Sequence, residues 1–158
     1  MVPALPAAFV LAGIRLFTGV LWLANLSWKL PPSFGRDDPK GLLYNFRRAE
    51  QDAVFGFLRS FMRDVVIPHF TAWGAVVFTV ELAAGALLTL GLLTRLGGLI
   101  GTVQAVIITL LVVQAPNEWF WTYAMLILLN AVCLLTVTDE RLSLRPALQR
   151  FRARGEPA

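Results

Sequence analysis

Two charged residues lie inside otherwise apolar stretches of the sequence, and they are the groups best placed to do chemistry. Arg15 lies within the segment GIRLFTGVLWLANLSWK, and Glu81 lies near the middle of a second apolar stretch. A charged side chain at the centre of a membrane helix costs about 2.5–3.5 kcal/mol on insertion scales. A guanidinium fits a carboxylate bidentately. We therefore expect Arg15 to meet Glu81 or an anionic ligand beside it.

Two structural interpretations compete with a functional site. Arg15 lies nearer the end than the middle of its stretch, so its side chain can extend to the lipid headgroups. The two charges can also form a pair that only sets helix register. Glu81 is too deep to reach the headgroups, which favours either the pair or the site.

Polar residues recur at helical spacing around both charges. One face of the first stretch carries, at steps of 3, 4, 3 and 4 residues, Arg15, Thr18, Trp22, Asn25 and Lys29. The third and fourth apolar stretches each hold a deep amide, Gln104 and Asn130. Taken alone, such amides more often form hydrogen bonds between helices than a site. The spacing predicts one inward-facing cluster, with candidate members Arg15, Trp22, Asn25, Glu81, Gln104 and Asn130.

Composition indicates how these residues are held. Of 158 residues, 57% are hydrophobic and only 15% are charged, which is too little charge to cover a soluble domain. Four apolar stretches, about 7–28, 69–93, 96–114 and 119–137, can each cross the ~30 Å hydrocarbon core as a helix. The sequence therefore predicts an all-α, integral membrane four-helix bundle that forms one domain over 1–158.

The segment between the first two stretches has a different pattern. From about 42 to 66, apolar residues recur at helical spacing while charged residues occupy the other side. This is typical of an amphipathic helix at the membrane interface, here broken near Gly56. Such a helix is either an interfacial strap or a lid over a site that opens outward.

The distribution of basic residues predicts the orientation. The tail, 138–158, is rich in arginine, and the short second loop contributes Arg95. The positive-inside rule then places both termini in the cytoplasm, although the first loop is also basic. We expect the chain to lie in the plasma membrane.

Several classes of chemistry find no residues to support them. The sequence has one histidine and one cysteine, which excludes bis-histidine haem within one chain, an intrachain disulfide and a CxxC pair. It shows no metal-ligand cluster, no Walker or dinucleotide-binding motif and no catalytic triad pattern. No interleaving of aromatic and basic residues indicates nucleic acid. The sequence therefore indicates no redox centre within the chain itself.

The sequence resembles the DoxX/DoxD superfamily of small four-helix membrane proteins. The segments that carry the resemblance are IRLFTGVLWLANLSWKL (14–30), YNF (44–46), VIPHF (66–70), ELAAGALLTLGLLTRLGGLIG (81–101) and EWFWTYAMLILL (118–129). The DoxD branch includes the membrane subunit of thiosulfate:quinone oxidoreductase. The resemblance implies a quinone-associated membrane subunit whose redox cofactor lies on a partner subunit.

If quinone binds, the resemblance suggests roles for three residues. Arg15 would hold or polarise a quinone carbonyl, Glu81 would exchange the coupled proton, and Trp22 would stack on the ring. Two other functions are compatible with the residues: a non-enzymatic membrane scaffold that anchors a redox or stress-response protein, and a small proton or solute pathway. A homo-oligomer is an alternative to the partner subunit.

Overall fold

A computed structural model of the protein describes residues 5–136, which form six α-helices and one π-helical turn and contain no strand. The helices are α1 (Leu5–Ala24), α2 (Leu42–Asp52), α3 (Gly56–Phe61), α4 (Phe70–Leu90), α5 (Thr94–Val112) and α6 (Phe120–Leu135). The π-helical turn, Met62–Val66, continues α3. The prediction of an all-α protein is confirmed for this part of the chain. The predicted cytoplasmic tail, 138–158, lies outside the described residues.

Three of the helices, α1, α4 and α5, are long and apolar enough to cross a membrane. The fourth apolar helix, α6, has 16 described residues, about 24 Å at 1.5 Å per residue. The first predicted span extends to residue 28, four residues beyond the end of helix α1. The helix ends at Ala24, and residues 25–29 form turns, in which the N–H of Lys29 donates to the carbonyl of Leu26 at 2.9 Å.

The four apolar helices pack in a cycle in which α1 contacts α4, α4 contacts α5, α5 contacts α6, and α6 contacts α1. Glycines bring two of these pairs close together. A Cβ on Gly98 of α5 would lie 2.6 Å from the backbone nitrogen of Leu134 in α6. A Cβ on Gly19 of α1 would lie 2.6 Å from the backbone nitrogen of Thr89 in α4. No side chain fits in either place, so these contacts fix the helix register.

The interior of this cycle combines apolar and polar side chains. The buried cluster there consists of Trp22, Ala84, Leu88, Ala105 and Cys133. Many large apolar side chains on the outer faces are exposed, including Phe17, Val103 and Leu128. This arrangement suits helices surrounded by lipid, because the outward side chains have no apolar partner in the chain.

The segment 42–66, hereafter the strap, lies against one end of the four helices. Its helix α2 contacts α5, and its buried face packs around Phe46, Met62 and Phe70. The strap bends at 53–55, immediately before Gly56 as predicted. The bend allows the N–H of Val54 to donate to the carbonyl of Leu110 at 2.9 Å, where the last turn of α5 has carbonyls without a partner inside the helix.

Candidate functional site

Glu81 forms a buried ion pair with Lys29. Glu81 lies in the middle of α4, whereas Lys29 follows the turns at the end of α1, and their exposed fractions are 1% and 2%. The Lys29 ammonium contacts Oε2 of Glu81, and Nδ2 of Asn25 donates to the same oxygen at 3.2 Å. Two neighbouring helices therefore share one enclosed charge pair at the strap end.

The second oxygen of this carboxylate lacks a partner. Oε1 of Glu81 is buried and accepts no hydrogen bond from the described residues, although the side chain of Gln104 from α5 approaches the carboxylate. Buried polar atoms are hydrogen-bonded in the great majority of cases, so an unpaired carboxylate oxygen calls for an explanation. A small donor, such as a hydroxyl group or a water molecule, would satisfy it.

Trp28 connects the ion pair to the surface. Its indole Nε1 donates to Oδ1 of Asn25 at 3.1 Å, and Nζ of Lys29 lies 4.4 Å from the centroid of its ring. Trp28 also lines an open depression of about 610 Å³, whose other walls are Asp38, Pro39, Lys40 and Gly41. Trp28 thus contacts the cation of the ion pair and also lines an open depression.

Arg15 lies in a different place from the one we expected. Its guanidinium donates to the carbonyl of Leu88 and, at 3.4 Å, to that of Thr89. These carbonyls belong to the last turn of α4, where the helix stops at Gly91 in the left-handed conformation, φ 67°. Cationic groups stabilise the C-terminal end of a helix, because the carbonyls there carry partial negative charge and lack partners inside the helix.

The expected pairing of Arg15 with Glu81 is therefore wrong, and the helix register gives the reason. Helices α1 and α4 are antiparallel, and Arg15 lies level with Leu88 while Lys29 lies level with Glu81. Seven residues separate Glu81 from Leu88, or about 10 Å along the helix axis. An arginine side chain does not span that distance in addition to the gap between the helices. Lys29 takes the position that we expected Arg15 to fill.

Trp22 and Asn130 form a third layer, between the two charged ones. Nε1 of Trp22 donates to Oδ1 of Asn130 at 3.0 Å, and Nδ2 of Asn130 donates to the carbonyl of Leu126 at 2.8 Å. Trp22 is 1% exposed, so its ring is enclosed by the helices. Gly101 leaves room for this contact, since a Cβ there would overlap the Asn130 side chain.

The predicted inward-facing cluster thus separates into three layers. Asn25 and Gln104 accompany Glu81, Trp22 accompanies Asn130, and Arg15 lies at the opposite end near Thr18 and Cys133. All six predicted residues do face inward. Lys29 and Trp28 were not predicted as site residues, although Lys29 follows Asn25 by four positions on the same helical face. That spacing was the available signal.

A second ion pair attaches the strap to the loop before α6. Nη1 of Arg48 donates to Oε1 of Glu118 at 2.7 Å, and the hydroxyl of Tyr123 donates to Oε2. Partial burial alone would raise the pKa of the Glu118 carboxyl, but the hydrogen bonds from Tyr123 and Arg48 lower this pKa below its usual value. This pair is partly exposed, and both carboxylate oxygens have partners.

Within residues 5–136 no group of three metal-ligating side chains could hold an ion. The imidazole of His69 is exposed, and its Nδ1 lies 2.9 Å from the carbonyl oxygen of Val65. Cys133 is a buried free thiol.

The chain belongs to the DoxD family, described as the TQO small subunit DoxD, whose family model matches residues 11–152. The resemblance noted from the sequence is confirmed. A search of curated proteins found no match, and a search of solved structures found none either.

Proposed function

We propose that the protein is the membrane subunit of a quinone-linked oxidoreductase, with the redox cofactor on a partner subunit. The observation that carries the proposal is a buried ion pair with an unpaired carboxylate oxygen, set among apolar helices in a chain of the DoxD family. Quinones are apolar molecules dissolved in the bilayer, and their oxygen atoms need polar groups at membrane depth.

The membrane architecture supports this function. We propose that α1, α4, α5 and α6 cross the bilayer as a single-domain four-helix bundle, and that the strap lies at the interface. The strap carries exposed aromatic residues, with Phe55 and Phe57 stacked at 5.7 Å, as expected for a segment that rests on lipid. By the positive-inside rule, the termini lie on the cytoplasmic side of the plasma membrane, and the strap lies at its outer surface.

The residues present fit a quinone at one end of the bundle. When bound there, a quinone would take up two electrons and two protons. Glu81 would hold a proton at its carboxylate, while Asn25 and Gln104 would keep that carboxylate in place. We assign Arg15, Trp22 and Asn130 to helix packing, because Arg15 donates to carbonyls at the end of α4 and Trp22 and Asn130 bond each other.

A membrane anchor without catalytic activity is the second candidate. It is favoured by the fact that the Lys29–Glu81 pair joins α1 to α4, as a structural pin would. A proton or solute pathway has less support, since the buried Trp22, bonded to Asn130, lies between Arg15 and Lys29 along the first helix and the turn that follows it.

Gentle purification from native membranes tests the proposal. Copurifying proteins and extracted quinones are identified by mass spectrometry. A quinone present in near-stoichiometric amount, together with a cofactor-bearing partner, is the expected result. A partner without any quinone would instead make the protein an anchor.

A further inference from the structure

The unpaired oxygen of Glu81 and the ammonium of Lys29 are complementary to one kind of ligand. Among the described residues, Oε1 of Glu81 accepts nothing, and Nζ of Lys29 donates only to Glu81. An ammonium has three donors, so this pair offers both an acceptor and further donors within one buried site. A quinone presents a carbonyl that accepts a hydrogen bond, and its reduced form presents a hydroxyl that donates one.

The surroundings of the pair suit a flat ring. The indole of Trp28 is half-buried, lies 4.4 Å from the Lys29 ammonium and lines the open depression beside Asp38 and Gly41. An ion pair that only holds two helices together does not need an aromatic side chain beside its acceptor and donor.

We infer that Glu81, Lys29 and Trp28 form the headgroup site for a quinone that enters at the strap end of the bundle. Lys29 donates to a quinone carbonyl, Oε1 of Glu81 accepts from the hydroxyl of the reduced form, and Trp28 forms the wall beside the ring. The inference rests on the proposed function and deepens it, because it adds two residues and names the end of the bundle from which the ligand enters.

Titration of the purified protein with decylubiquinone, a short-chain quinone that quenches indole fluorescence, tests this site. Glu81→Gln should weaken binding at least tenfold, because the amide cannot accept and pair with Lys29 as the carboxylate does. Glu118→Gln is the matched control, since it neutralises an ion-paired carboxylate at the same end of the molecule and should bind as the wild type does.

Trp28→Phe supplies a second readout that does not depend on the buried charge. It keeps an aromatic wall, so binding should persist while most of the quenching amplitude disappears. Trp121→Phe removes an indole that is exposed and should leave the quenching almost unchanged. Were Glu81→Gln to unfold, the contrast between these two tryptophan variants would still decide the matter.

The outcomes separate the two proposals. Equal affinity in wild type and Glu81→Gln, or full quenching in Trp28→Phe, would overturn this headgroup site while leaving the quinone function intact. A water molecule as the sole partner of Oε1 would give the first of these results. A wild-type protein that neither binds decylubiquinone nor retains native quinone would remove the proposed function itself.

Discussion

The two ends of the helix bundle each bury a cation, but the groups that contact the cation differ between the two ends. At one end, the contacts of Arg15 include the carbonyls of the last turn of α4. At the strap end, Lys29 meets a full carboxylate, one of whose oxygens has no partner among the described residues. A cation held by carbonyls at a helix end fastens the backbone. A charge pair with an unused acceptor beside an open depression retains capacity to bind a ligand.

The comparison leads first to a prediction about the strap-end charge. Lys29→Met leaves the Glu81 carboxylate buried without its cation, and such changes cost about 3–5 kcal/mol. We expect a loss of that size in the free energy of unfolding, measured by denaturation with sodium dodecyl sulfate in mixed micelles. Arg47→Met, which removes an exposed cation from the strap, should change the value by less than about 0.5 kcal/mol.

The double variant Lys29→Met, Glu81→Met separates the energetic role of the pair from its binding role. Replacing a buried ion pair by apolar side chains is often neutral for stability, so most of the lost stability should return. Quinone binding should not return. Recovery of both would show that the charges serve only as a structural pin.

Changes at the opposite end of the bundle, which holds Arg15, should lower stability without changing quinone binding. Arg15→Gln removes charged hydrogen bonds to the end of α4, each worth about 1.5–3 kcal/mol, and we expect the unfolding free energy to fall by a similar amount. Quinone content should stay at the wild-type level. Arg15→Lys keeps the charge but lacks the planar fork, so its stability should lie between those of the wild type and Arg15→Gln.

The smallest effect belongs to the partly exposed pair between the strap and the loop before α6. Because the pKa of Glu118 is lowered in the folded protein, its contribution to stability is present above the ordinary value of 4.5 and is lost as the pH falls through the folded value. Unfolding followed from pH 6 to about pH 3 should show this loss, on the order of 1 kcal/mol or less. In Glu118→Gln this part of the pH dependence should be absent; an unchanged profile would remove the role assigned to the pair.

The sequence predicted the helices better than it predicted their contacts. Helical spacing correctly placed Arg15, Trp22 and Asn25 on an inward face, because that periodicity is a property of one helix. The partner of Glu81 depends on how far α1 slides along α4. That register is set by close contact at Gly19 with Thr89, which spacing within either helix does not reveal.

The end of the first helix also limited the prediction. Helical spacing placed Lys29 on the same face as Asn25, but Lys29 was not among the candidate site residues. In the structure the chain turns after Ala24 and directs both Asn25 and Lys29 towards Glu81. Asn25 itself was predicted, because its position follows from the same spacing as Trp22.

The most direct test of the account compares the quinone content of Glu81→Gln and Arg15→Gln, purified side by side from native membranes. The account predicts that Glu81→Gln loses its quinone, whereas Arg15→Gln keeps the wild-type amount despite its lower stability. Equal quinone content in the two variants, whether kept or lost, would contradict the account that Glu81 binds the ligand and Arg15 only stabilises helix packing.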